Sequence, residues 1–279
     1  MARLALLLHC ASAAASPALR ARLAAPTAAA PRPHGRAALA RASLDALSLL
    51  PARGKQLDAA AAFFADAFWG AATNGAAPAD LTPRGRAALA ATQLADLEQR
   101  YGALVGARRL ASELIVARAA DGALAGCVGL ELAVVSVAER LVLPRTRGEQ
   151  MFRQKLDAMS ARERNEYRKL PLQELAALVL EPGYGVCPLL ANLAVGEAHR
   201  GSGLGRELCF RAEDLALEWG YGGIVLQVEE GNAPAVGLYK SLGYCELFVN
   251  EQWPALRAQP DGELVTEPVN LLTLTKSLV

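Results

Sequence analysis

A glycine-rich turn in the C-terminal half of the chain has the residue types that bind phosphate. The turn, RGSGLG at residues 200–205, follows an apolar segment and opens a long amphipathic stretch. Glycines allow the backbone to approach an anion closely, and the N–H groups of a helix's first turn have no partner within the helix. The sequence therefore predicts that main-chain amides from Gly201 to Arg206 form a cradle for a phosphate group.

Two common nucleotide-binding motifs fit this turn poorly. A Walker loop requires Gly-Lys-Ser/Thr, whereas Gly205 is followed by Arg206 and Glu207. A dinucleotide-binding fold has an acid after the next strand, where Glu229 and Glu230 stand. However, the glycines are spaced Gly-x-Gly-x-Gly, and the preceding strands are predicted to form a hairpin rather than a parallel βαβ unit.

Residues 110–250 closely resemble the GNAT family of acetyl-CoA-dependent N-acetyltransferases. The resemblance is carried by three motifs in a fixed order: NLAV at 192–195, RGSGLG at 200–205 and NAPAVGLYKSLGY at 232–244. The glycine turn alone is a weak signal, whereas the ordered combination is specific. An arginine-rich leader and an insertion at 138–182 make the chain similar to the plastid branch of the family, which acetylates protein N-termini and lysines.

The resemblance implies a role for each motif. The strand at 193–195 would splay from its neighbour at 223–228, pair with the pantetheine arm of acetyl-CoA and polarise the acetyl carbonyl. Asn232 would lie beside that arm as well as cap a helix, and Tyr239 matches the family's catalytic tyrosine, which protonates the leaving thiolate. The implied cofactor contacts are Leu193, Ala194, Val195, Arg200, Gly201, Ser202, Gly203, Leu204, Gly205, Arg206, Asn232, Ala233, Pro234 and Tyr239. Arg200 and Arg206 have an alternative interpretation as solvated cations.

The general base is left open by the sequence. Gln227 stands where the ribosomal-protein N-terminal acetyltransferases, which the motif also resembles, have a glutamate, and glutamine cannot accept a proton. Glu229, on the same strand face, and Glu131 are candidate bases acting through water, although each also fits an ordinary surface carboxylate. His199, beside the glycine turn, is interpreted as a loop residue.

The charge distribution separates a leader from the remainder of the chain. Residues 1–44 contain six arginines and no Asp, Glu or Lys, so the overall charge of +1 leaves −5 for residues 45–279. An acidic domain of this kind argues against a nucleic-acid partner. The basic, Ala-rich and Pro-rich leader is typical of a disordered organelle transit peptide, chloroplast or mitochondrial, and a secretory signal is the competing interpretation.

Neither a membrane span nor a metal site is predicted. No apolar run reaches the 18 or more residues that cross a bilayer. The five cysteines, Cys10, Cys127, Cys187, Cys209 and Cys245, are scattered singly without a C-x-x-C pair, and we expect those beyond the leader to be small core residues. His199 is the only histidine after residue 34, so a site built on several histidines is excluded.

Hydrophobic spacing predicts strands and helices over residues 45–279. The resemblance to the GNAT family implies that they form an α/β (α+β) domain, a mixed and mainly antiparallel sheet flanked by helices. Strands are predicted at 48–52, 113–118, 123–136, 188–195, 223–228, 245–249 and 269–275, and helices at 57–71, 83–101, 172–180, 204–219 and 232–242. Residues 138–182 are predicted to form a charged helical insertion before the cofactor-binding strand, with a net charge of +4 between Arg145 and Lys169. A solvated surface is favoured for it over a lip that grips substrate.

The sequence thus predicts an N-acetyltransferase that uses acetyl-CoA as co-substrate and no metal. Protein N-terminal α-amines or lysine ε-amines would attack the acetyl group directly in a ternary complex. Three alternatives stay open: a small-amine acetyltransferase, a non-catalytic acyl-CoA-sensing module on the same fold, and a dinucleotide oxidoreductase. The oligomeric state is not encoded in any recognisable pattern.

Overall fold

A single sheet runs through the computed structural model, which describes residues 47–70, 81–102, 110–167 and 169–279. The described strands are β1 (Ser48–Pro51), β2 (Ser112–Arg118), β3 (Leu124–Ser136), β4 (Leu141–Leu143), β5 (Tyr184–Val195), β6 (Gly223–Glu229), β7 (Cys245–Ala258) and β8 (Leu264–Ser277). Their spatial order is β1-β2-β3-β5-β6-β8-β7, with β4 paired to β3 outside this path. Only β5 and β6 pair in parallel, so the sheet is mixed and mainly antiparallel.

Seven α-helices flank the sheet within the described ranges. They are α1 (Gln56–Phe68), α2 (Pro83–Tyr101), α3 (Arg145–Asp157), α4 (Ala161–Tyr167), α5 (Leu172–Val179), α6 (Leu204–Glu218) and α7 (Ala233–Ser241). The start of α2 follows from its sequence, because the Thr82 hydroxyl accepts a hydrogen bond from the Gly85 N–H at 3.0 Å and Pro83 occupies the first turn. Gly220, with φ +83°, lies just beyond α6 and provides the left-handed residue that commonly ends a helix.

Successive side chains of each strand point to opposite faces of the sheet, so the core is divided between the two faces. Ile115 faces α6 and α7 in a cluster with Leu208 and Leu226, whereas its neighbour Leu114 faces α1 and α2 in a cluster with Leu97. Both clusters are buried, so the sheet is covered on each side of its centre. Helices α3 and α5 add a third apolar cluster at the far ends of β3 and β5.

The predicted fold class is confirmed, including helices in the insertion before β5. The strands β7 and β8 are much longer than predicted, at 14 residues each, and β4 was not predicted. The predicted helix at 57–71 ends at Phe68 among the described residues. The predicted leader at 1–44 lies outside the described ranges.

Candidate functional site

The two parallel strands at the centre of the sheet diverge. β5 pairs with β6 at only two positions, Leu189 with Val225 and Leu190 with Leu226. Beyond them β5 stays paired with β3, but the register shifts between Cys127 and Gly129, which marks a β-bulge. A bulge adds a residue to one strand and bends it. The result is a wedge between residues 193–195 of β5 and residues 227–229 of β6, called the wedge below.

The glycine turn lies directly after β5. Gly201 and Gly203 have φ angles of +74° and +97°, in the left-handed region that favours glycine. In the described part of the chain the N–H groups of Gly201, Gly203 and Gly205 donate to no protein acceptor. Because Gly203 caps α6 without a side-chain hydrogen bond, the positive end of a 15-residue helix stays open to an anion.

The other amides of the turn already have partners within it. The Ser202 N–H donates to the His199 carbonyl at 3.4 Å, the Leu204 N–H donates to the Ser202 hydroxyl at 3.4 Å, and the Arg206 N–H donates to the Gly203 carbonyl at 3.0 Å. The Ser202 hydroxyl in turn donates to the His199 carbonyl at 2.6 Å. These bonds shape the turn, so the amides offered to a ligand alternate along it. His199 itself ends a short 3₁₀ helix, as expected of a loop residue.

Close packing sets the turn beside the wedge. A Cβ on Gly205 would lie 3.3 Å from Leu238 of α7 and 3.7 Å from Val195 of β5. A Cβ on Gly126 of β3 would lie 2.9 Å from Leu208 of α6. The absence of side chains at these two glycines therefore lets α6 begin between the end of β5 and α7.

The two arginines of the turn make contacts within the protein. The Arg200 guanidinium donates to the Val195 carbonyl at 3.2 Å and to the Ala67 carbonyl of α1 at 3.1 Å. Arg206 donates to the Ser241 hydroxyl at the end of α7 at 2.9 Å. Both residues are exposed. Each guanidinium links the turn to a neighbouring helix, a role that neither sequence interpretation included.

The four residues predicted from the third motif lie in helix α7 or at its N-cap. Asn232 caps it and accepts a hydrogen bond from the Ala235 N–H at 3.3 Å, while Ala233 and Pro234 form the first turn. Tyr239 is buried, and its ring meets the Tyr244 ring edge-on at 5.7 Å between centroids. Burial raises the pKa of the Tyr239 hydroxyl above its usual value of 10.0, so the group keeps its proton at neutral pH. It has no hydrogen-bond partner among the described residues.

The two candidate bases are both engaged in ion pairs. Glu229 binds Arg257 through both carboxylate oxygens, at 2.7 and 2.9 Å, and Glu131 pairs with Arg100 at 3.0 Å. Glu131 is fully buried, so its interpretation as a surface carboxylate is wrong. Burial raises the pKa of Glu131 above its usual value of 4.5, with Arg100 opposing the shift. Gln227 donates to the Thr273 hydroxyl at 3.3 Å.

The structure adds site residues that the sequence pattern did not identify. Asn192 adopts φ +52°, rare for a residue other than glycine, and its side-chain amide donates to the Tyr101 hydroxyl at 3.2 Å. Tyr101 ends the helix predicted at 83–101, and the sequence assigned it no role in the site. The two residues are 91 positions apart, so no spacing rule connects them.

Other predictions concern metals, membranes and cysteines. The described ranges contain no cluster of three or more His, Cys, Asp or Glu residues that could hold a metal ion. None of the described helices is long and apolar enough to cross a bilayer. Cys127, Cys187 and Cys209 are buried as expected, whereas Cys245 is exposed, so its assignment to the core is wrong.

Comparisons with known proteins agree with these motifs. Residues 174–244, which span α5 to α7 and hence the wedge and the turn, match the model of the Acetyltransferase (GNAT) family. The chain is 35% identical over 74 residues to the chloroplastic GCN5-related N-acetyltransferase 4 of Arabidopsis thaliana, covering 26% of this chain and 25% of the relative. It is 40% identical over 55 residues to the streptothricin acetyltransferase of Streptomyces lavendulae, covering 20% of this chain and 29% of the relative.

The chain therefore aligns with only about a quarter of the length of these curated relatives. Among solved structures, a GCN5-related N-acetyltransferase from Kribbella flavida is similar with a TM-score of 0.46 and 20% identity, covering 84% of this chain and 99% of that one.

Proposed function

We propose that this chain, which carries the GNAT acetyltransferase segment at residues 174–244, is an acetyl-CoA-dependent N-acetyltransferase. The observation that carries the proposal is the divergence of β5 from β6 immediately before a turn with unpaired amides. Unpaired strand groups accept an extended ligand as an added strand, and unpaired helix amides accept a phosphate. A pantetheine arm joined to a diphosphate is a ligand of this kind, because it has an extended portion followed by a phosphate portion.

The residues present fit such a ligand. Main-chain amides of Gly201, Gly203 and Gly205 would hold the diphosphate, and the backbone of residues 193–195 would pair with the arm. Asn232, Ala233 and Pro234 at the start of α7 would border the arm from the β6 side. Acetyl-CoA supplies an acyl group activated as a thioester, and a strand N–H beside the wedge would polarise its carbonyl.

The chemical step is a direct transfer between two substrates. A neutral primary amine attacks the acetyl carbon, a C–N bond forms and the C–S bond breaks. The Tyr239 hydroxyl would donate its proton to the leaving sulfur, the amine nitrogen would lose a proton to water, and a proton from solvent would restore the tyrosine. The Tyr239 phenol is protonated at physiological pH, and burial raises its pKa further.

We infer protein amines, at N-termini or on lysines, as the acceptors. This choice is supported by the resemblance to the plastid branch and by the similarity to a chloroplastic relative. The similarity to a streptothricin acetyltransferase favours small amines as the second candidate. The purified protein, labelled acetyl-CoA, a peptide library and a panel of small amines would decide between them, with N-terminal and lysine products mapped separately.

Gly203→Glu is the matched control for this assay. The new carboxylate would crowd and repel the diphosphate, and the left-handed φ of +97° disfavours any side chain there. We expect acetyl-CoA binding to be lost by the variant. Unchanged affinity would refute the cradle, and turnover by the wild type with any amine would exclude a non-catalytic sensor.

We also propose that the protein acts in the plastid stroma, with the mitochondrion as the alternative. Support comes from the acid-free, arginine-containing residues 1–44 and from the chloroplastic relative. A fluorescent protein carrying the first 46 residues should enter chloroplasts in plant protoplasts. Accumulation in mitochondria or in the secretory pathway would contradict the assignment.

A further inference from the structure

The bend that opens the wedge is centred on Asn192. This residue has φ +52°, in the left-handed region that favours glycine and that residues with a Cβ adopt rarely. It sits where the β3–β5 register shifts, between the pairs Cys127–Ala194 and Gly129–Ala191. Backbone strain of this kind persists only where surrounding contacts hold it.

Two neighbouring elements hold Asn192 from different sides. Its side-chain amide donates to the Tyr101 hydroxyl of α2 at 3.2 Å. Its carbonyl, displaced from the regular ladder by the bulge, accepts a weak hydrogen bond from the Cys127 thiol of β3 at 3.5 Å. The bent residue therefore has a partner for both its side chain and its carbonyl.

Tyr101 is itself fixed firmly enough to act as an anchor. It is buried at the end of α2, and a Cβ on Gly129 would overlap its hydroxyl, so the ring end lies directly on β3. The Ser112 hydroxyl donates to the Arg100 carbonyl at 2.7 Å, which ties the last turn of α2 to β2. The hydroxyl that receives the Asn192 amide is thus held against the sheet.

We propose that Tyr101 is a positioning residue for the acyl-carrier site, acting through its hydrogen bond to Asn192 to keep β5 bent away from β6. The proposal rests on the function proposed above and deepens it, because residues 193–195 can meet a pantetheine arm only while the wedge is open. A purely apolar role would need the ring and not the hydroxyl. The contact with Asn192 uses the hydroxyl.

Tyr101→Phe keeps the ring and removes the anchor. Losing one hydrogen bond should weaken acetyl-CoA binding about three- to tenfold, measured by calorimetry on the full chain. Tyr221→Phe is the matched control, since Tyr221 is also buried and its hydroxyl has no hydrogen-bond partner among the residues that the structure describes. The acetyl-CoA affinity of the Tyr221→Phe variant should equal that of the wild type. Equal losses in both variants, or no loss in Tyr101→Phe, would overturn the proposal.

A second background tests whether Tyr101 acts through Asn192. Asn192→Gly accepts the left-handed conformation without a side chain, so adding Tyr101→Phe to it should weaken binding no further. Fully additive losses would show that Tyr101 acts by another route. In the single Tyr101→Phe variant we expect a higher KM for acetyl-CoA with kcat nearly unchanged. General destabilisation would instead reduce the amount of active protein and leave the KM of the remaining enzyme unchanged.

A measurement without acetyl-CoA separates this proposal from the proposed function. The side-chain amide resonance of Asn192 should shift in Tyr101→Phe, and backbone amides at 193–195 should exchange hydrogen faster. If the wild type binds no acetyl-CoA, the proposed function is wrong. The resonance and exchange data would still test whether the Tyr101 hydroxyl holds Asn192 in its bent conformation. Unchanged spectra and exchange would overturn it.

Discussion

At the scale of single residues, the surroundings of Tyr239 hold its ring in place and keep its hydroxyl protonated. Its ring packs edge-on against Tyr244, and the Lys276 ammonium lies 5.5 Å from the centre of the Tyr244 ring. Lys276 also pairs with Glu213 at 2.6 Å, a carboxylate that is largely buried on α6. The two rings are thus held between α6 and β8. The packing fixes the phenol in place, and burial keeps it protonated at neutral pH while making it a weaker acid than a solvent-exposed tyrosine.

We therefore predict that Tyr239→Phe lowers kcat by about a hundredfold or more while acetyl-CoA affinity changes little. The reason is that the phenyl ring keeps the packing and loses only the proton. Steady-state kinetics with calorimetry measure both quantities. Tyr244→Phe serves as control, because it removes a hydroxyl from the neighbouring ring and keeps the edge contact. Unchanged turnover in Tyr239→Phe would remove the acid role.

At the scale of elements, the long β7–β8 hairpin forms an arm that bridges the sheet and α2. A register shift between Asn250 and Trp253 bends the arm, and its tip places the Pro260 carbonyl 2.9 Å from the Thr82 N–H and 3.0 Å from its hydroxyl. The bidentate ion pair between Arg257 and Glu229 connects the arm to β6. Glu229 faces away from α6, so the arm borders the α2 side of the wedge.

We predict that Gly262→Ala releases the tip and raises KM for the acceptor amine several-fold, without changing acetyl-CoA affinity. Gly262 has φ +89°, and a Cβ there would collide with the Gly85 backbone of α2. Gly122→Ala is the control, since Gly122 has φ +85° in the β2–β3 turn and open space around it. Both variants have the same backbone cost, so an equal rise in KM would contradict a role for the arm.

The sequence predicts these elements where the signal is local. The glycine turn and the helix predicted at 83–101 depend on neighbouring residues, and the structure has them where the pattern indicates. The arm was missed because much of β7 is exposed on both faces, so burial leaves no period of two, and Pro254 and Pro268 argue against a strand. The Tyr101–Asn192 contact was missed because only the tertiary fold joins α2 to β5.

At the scale of the whole molecule, a charged cluster lies inside the fold. Glu131 is completely buried in β3, with Arg100 from α2 as its partner, and Arg100 also binds Asp96 at 2.9 Å. Arg145, at the start of α3, is also buried, and its guanidinium donates to the Gln99 carbonyl. This cluster joins α2, α3 and β3, so the charge state of Glu131 affects the stability of the entire domain.

The pH dependence of unfolding tests that coupling. The pKa of Glu131 is raised in the folded protein because burial disfavours its charge more than Arg100 favours it. The folded state therefore holds this proton more tightly than the unfolded chain. The resulting stabilisation is complete below the unfolded pKa near 4.5 and is lost as pH rises through the higher folded pKa.

We accordingly predict that the unfolding free energy of the wild type falls relative to Glu131→Gln as pH rises from about 4.5, by at most about 1.4 kcal/mol per pH unit. Glutamine has no proton to lose, so the difference between the two proteins isolates this one site from all other carboxylates. Urea titrations of both proteins at several pH values measure it. A wild type that instead gains relative stability with rising pH would mean that Arg100 outweighs burial, and the cluster would then be a net ion-pair contribution to the fold.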